Sequence, residues 1–132
     1  MIAIDTNIIV RFLVRDDETQ AEAVYRRLKR AEADRESFFV PLVVLLETIW
    51  VLTSAYGKSR NEVLDCIEDM RRMPVFEFEK DGVVAKLLID GRNSRADLPD
   101  ILIARSAEAN GGETGITFDK GAAKLPFFEL LR

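Results

Sequence analysis

Short apolar runs alternate with helical segments along almost the whole chain, and this alternation restricts the fold more than any other feature. Ile2 to Ile4 is continuously apolar, as expected of a central strand buried on both faces. Phe38–Val40, Val75–Phe78, Thr114–Thr117 and Phe127–Leu131 read as four further short strands. Strands separated by helices pair in parallel, because a parallel neighbour is reached only through a crossover. The expectation is one compact α/β domain over residues 1–132, with a parallel sheet and helices on both sides. In such sheets ligands bind beyond the carboxyl ends of the strands.

The helices carry their own start and stop signals. One runs from Thr6 to Val14. Asp16 or Asp17 caps the next, which sets Ala21, Val24, Leu28 and Ala31 on one face. Leu42 to Tyr56 is strongly apolar and is closed by Gly57. Ser59 and Glu62 form a capping box for a helix that turns Val63, Cys66, Ile67 and Met70 inward, and Pro74 ends that stretch. A helix over Gly82–Asp90 leads into a polar loop, GRNSRA, and another covers Leu98–Asn110.

Composition excludes much chemistry. The 132 residues include one cysteine and no histidine. A Ser-His-Asp triad, a Cys-His pair and ordinary zinc sites are therefore ruled out, and no internal disulfide can form. Hard-cation chemistry on oxygen ligands remains, which suits magnesium and manganese. With a formal charge of -4, non-specific nucleic-acid binding by bulk charge is not expected. Any such binding needs a local basic rim, for which Arg11, Arg15, Arg92, Arg95, Lys120 and Lys124 are placed near the acidic motifs. No apolar run reaches the roughly 20 residues that span a bilayer. The N-terminus MIAIDTN lacks a basic leader, so a cytoplasmic protein without a membrane segment is expected.

Several carboxylates stand in unusual places. Asp5 directly follows the first strand and begins a helix, where it suits both an N-cap and a functional group at a strand end. Glu47 interrupts the apolar run VPLVVLLETIWVL and is expected to point inward, with no basic residue within a turn to pair it. Metal ligation explains it better than a structural ion pair. In ADLPDILIA, Asp97 reads as an N-cap with Pro99 in the first turn, and Asp100 suits both capping-box acid and ligand. Asp119, in TGITFDK, suits both cap and ligand. Carboxylates crowded together resist ionising unless a counter-charge is supplied, and divalent ions supply it.

Taken in order, MIAIDTN, VLLETIW, ADLPDILIA and TGITFDK resemble the PIN domain family, and more narrowly its VapC-type toxins, over essentially the whole chain. The resemblance implies a three-layer α/β/α sandwich around a central parallel sheet of about five strands. It implies catalytic and metal-binding roles for Asp5, Glu47, Asp100 and Asp119, with Asp97, Thr6, Asn7 and Thr117 as auxiliary residues beside them. The activity implied is a magnesium- or manganese-dependent endoribonuclease, in which a metal-activated water hydrolyses RNA and leaves a 5′-phosphate and a 3′-hydroxyl. The partners implied are an RNA substrate, a VapB-type antitoxin whose tail covers the site, and a second copy in a homodimer.

A different class also uses an aspartate at a parallel strand end: magnesium-dependent phospho-acceptors, either receiver domains or haloacid-type phosphatases. Asn7 stands where the phosphatase motif wants a second acid, and no acidic pair precedes the acceptor as receivers require. A non-catalytic binding module leaves the acids without a purpose.

Overall fold

Every strand pairing in the protein is parallel. The computed structural model describes residues 1–132 and divides into two compact units, Met1–Glu79 and Lys80–Arg132. The first holds β1 (Ile2–Ala3), α1 (Thr6–Val14), α2 (Glu18–Ala33), β2 (Phe38–Val40), α3 (Leu42–Ser54), α4 (Arg60–Arg71) and β3 (Phe76–Phe78). The second holds α5 (Asp81–Asn93), α6 (Leu98–Ala109), β4 (Gly115–Thr117), a 3-10 turn at Ala122–Lys124, and β5 (Phe128–Leu130). This is the expected α/β class with five strands, which form a sheet of three, β1-β2-β3, and a sheet of two, β4-β5.

In the first unit β2 is the central strand and β1 lies at one side of it, with Ile2 opposite Phe38 and Ala3 opposite Phe39. The expectation that Ile2–Ile4 is buried on both faces therefore fails. Within this sheet β1 has one neighbour, Ala3 is exposed, and only Ile4 is buried. Phe38 and Phe76 sit opposite each other in the β2–β3 pairing with ring centroids 6.3 Å apart, and Phe12 of α1 reaches Phe76 at 5.5 Å.

The helices follow their apolar spacing. In α2, Asp17 accepts from the Gln20 amide, and Ala21, Val24, Leu28 and Ala31 are all buried. The Ser59–Glu62 capping box is present at α4. Its buried face is Val63, Leu64, Ile67 and Met70, so Leu64 takes the place expected for Cys66, which is only half-buried. Glycine ends the α3 region as its backbone freedom allows, since Gly57 adopts φ +61. The α3 N-terminus has no side-chain cap of its own. Glu79, just after β3, supplies one by accepting the Leu42 N–H at 2.8 Å.

In the second unit α5 packs against α6; the buried side chains are Val83, Val84, Leu87 and Leu88 on α5 and Leu98, Ile101, Leu102 and Ala104 on α6. Residues Gly91–Asn93, expected in a loop, continue α5. Arg105 of α6 clamps Asp90 of α5 with two bonds of 2.6 and 3.1 Å. No helix is long and apolar enough to cross a membrane.

Leu52 is 0% exposed and Val43 is 71% exposed on the same helix. Leu52→Ala is expected to lower the unfolding free energy by about 2–5 kcal/mol in chemical denaturation, and Val43→Ala to change it by less than ~0.5 kcal/mol.

Candidate metal centre

The expected site residues fall into two groups, one in each unit. In the first, Asp5 follows β1 as the N-cap of α1 and accepts the Ile8 N–H at 3.1 Å through Oδ1. One oxygen thus serves the helix and the other is left for a second role. Thr6, buried beside it, donates its hydroxyl to Oε1 of Glu47 on α3. Asp5, Thr6, Asn7, Glu47 and Val51 line a cleft of about 230 Å³.

Glu47 does not point into the interior as the sequence suggested; it is exposed. On α3 the buried positions are Leu45, Thr48, Ile49 and Leu52, and Glu47 projects from the other side of the helix. Its context is apolar because α3 is apolar nearly all round. Its partner is a neutral hydroxyl, which orients the carboxylate without cancelling its charge.

In the second unit, Asp97, Asp100 and Asp119 each bring a carboxylate oxygen into a group lying within 4.8 Å of one another. Asp97 occupies the N-cap position of α6, yet its side chain makes no capping bond. The cap reading is therefore corrected: the side chain belongs with Asp100 and Asp119. Asp119 sits in the turn after β4. Its own N–H donates to the Thr117 hydroxyl at 3.0 Å, and its Oδ1 accepts the Gly121 N–H at 2.9 Å. These two bonds fix the turn and so the direction of the carboxylate.

Crowding has an electrostatic signature. The Asp100 carboxyl keeps its proton to a higher pH than usual, chiefly through burial, with repulsion from Asp119 and then Asp97 adding to it. No lysine or arginine forms an ion pair with any of the three acids. An all-oxygen donor set of converging carboxylates without a protein counter-charge fits a hard divalent cation.

The basic residues divide. Arg11 is engaged by Asp16, Gln20 and Tyr56, and Arg15 by Glu18 and Glu22, so these two hold the α1–α2 corner. Arg95, Lys120 and Lys124 are exposed in the segments that carry Asp97 and Asp119. The sequence reading missed the Glu79 cap of α3, and with it how the helix bearing Glu47 is anchored. Its signal was a helix starting after Pro41 with no capping side chain of its own.

The family model described as the PIN domain matches residues 2–128. No curated protein and no solved structure matches the chain.

Because the Asp100 carboxyl binds its proton more tightly in the folded protein than in the unfolded chain, folding stability falls as pH rises through and above the ordinary value of 3.8, and the loss persists at neutral pH. In chelator at neutral pH, Asp100→Asn is expected to melt at a higher temperature than the wild type. The gap should close in acid below that value. Magnesium or manganese should raise the wild-type Tm and leave that of the variant nearly unchanged. A wild-type Tm indifferent to both ions would count against a cation at this cluster.

Proposed function

The chain belongs to the PIN domain family of metal-dependent nucleases, and on that footing we propose that it is a magnesium- or manganese-dependent endoribonuclease, the toxin of a type II toxin–antitoxin pair. The observation that carries this reading is the convergence of Asp97, Asp100 and Asp119 without a basic partner. In it, the 132 residues act as one PIN domain, and the proposed ligands are Asp5 and Glu47 in the first unit and Asp100 and Asp119 in the second. When bound, the cation supplies positive charge to the phosphodiester and lowers the pKa of water for in-line attack at phosphorus.

The chain's own residues do the rest. Thr6 holds the Glu47 carboxylate in one orientation through its hydroxyl. Thr117 fixes the turn that presents Asp119. Asp97 adds negative charge beside Asp100 and strengthens its demand for a cation. Asn7 lines the cleft with Asp5 and Glu47, where its amide can donate to a phosphate or a water. Arg95, Lys120 and Lys124 are the residues available to hold phosphates flanking the cut. A protein without histidine lacks the usual base for attack by the RNA 2′-hydroxyl, which favours water as nucleophile and a 5′-phosphate product.

The partners in this reading are RNA, a second copy of the chain, and a VapB-type antitoxin that places a basic side chain among the acids. The phospho-acceptor alternative has no support in the family match.

Purified protein is expected to cleave a structured RNA only with magnesium or manganese present. Asp5→Asn and Asp100→Asn should each bring cleavage below detection with the fold intact by circular dichroism. Thr6→Val should lower the rate roughly 10–100-fold, the usual cost of losing a group that orients a ligand. Sequencing of the cut ends should find 5′-phosphates. Undiminished cleavage in excess chelator would sink the reading.

A further inference from the structure

An exposed tryptophan stands one helical turn beyond Glu47. Trp50 is 64% exposed and Val43 71% exposed, and with Glu47 they follow the i, i+4, i+7 spacing of one helix face. The far side of α3, through Leu45, Ile49 and Leu52, is fully buried, so the helix is held firmly while this face stays open. The Trp50 ring stacks on no other ring and covers no cation.

We propose that the exposed ring of Trp50 stacks against an unpaired nucleobase of the RNA and so positions the adjoining phosphodiester beside Glu47. The substrate class rests on the ribonuclease reading above. A nucleobase needs one open ring face and leaves the neighbouring carboxylate uncovered. A protein partner is the poorer occupant for two reasons. Glu47 lies inside the same stripe, so a helix or second copy laid over Val43 and Trp50 would take out of water a charged carboxylate whose partner is the neutral Thr6 hydroxyl. A stable protein interface also buries about 1,000 Å² or more, whereas this stripe offers two large apolar side chains. Trp50 is thus a positioning residue: it acts on where the strand lies and not on the bond that breaks.

The protein has one tryptophan, so its fluorescence reports on this ring alone. In the full-length Asp100→Asn variant with magnesium, a short single-stranded oligouridylate is expected to quench that emission in a saturable way. The same strand annealed into a duplex, with its base faces paired, should not. In the active protein, Trp50→Ala should raise KM for single-stranded RNA roughly tenfold or more with kcat nearly kept, as befits one lost base stack. Trp50→Phe, which retains a ring, should recover most of the loss, and the Tm of both variants should match the wild type. Quenching without any cleavage by wild type would leave the stacking intact and overturn the nuclease reading. Cleavage with no quenching and an unchanged KM in Trp50→Ala would overturn the stacking alone. Emission that shifts with protein concentration, together with loss of self-association in Trp50→Ala, would assign the face to a second copy and overturn the proposal.

Discussion

Parallel pairing is the constraint from which the rest of the structure follows. Once β1, β2 and β3 run the same way, each connection must cross back over the sheet, and the chain supplies a helix or two for each. The carboxyl ends of the strands then share one edge. Asp5 follows β1, α3 with Glu47 follows β2, and Glu79 follows β3 to tie down the start of α3. The same rule works in the second unit, where β4 pairs in parallel with β5 and Asp119 stands two residues beyond β4. Within each unit, acidic residues are thereby placed just beyond the carboxyl ends of parallel strands.

Charge is handled differently at different acids of the second unit. Asp90 receives the Arg105 guanidinium in a two-bond clamp and joins α5 to α6. Asp97, Asp100 and Asp119 receive no such partner, although Arg95, Lys120 and Lys124 are close in sequence. Neutralising them internally would have relieved the repulsion that, after burial, raises the Asp100 pKa and made a more stable protein. In the proposed reading, the cluster trades stability of the metal-free chain for affinity toward a cation.

Much of this was legible in the residues. Periodicity of 3.6 placed the buried face of α2 correctly, and the Ser59–Glu62 spacing placed the start of α4, because both signals are local. The strand ends and the parallel pairing followed from alternation alone. Glu47 misled for a physical reason: a helix apolar on nearly all sides gives no indication of which side faces out. Asp97 misled because its position is that of a cap while its side chain answers to distant neighbours, and spacing cannot reveal a long-range contact. The uncapped start of α3 signalled that a cap was missing, but not that Glu79 supplies it from 37 residues away. Of the candidate site, the residue types were readable and their grouping was not.

Asp5 commits one oxygen to capping α1 and, in the proposed reading, leaves the other for a cation, and this bears on how such a protein can change over evolutionary time. Asparagine caps a helix about as well as aspartate does, so a single-base drift to asparagine would silence position 5 and leave α1 properly begun. Alanine would remove the cap as well and fray the helix that carries Thr6. Loss of chemistry and loss of architecture are thus separable at this one codon. A lineage can lose the proposed ligand at position 5 without crossing an unfolded intermediate.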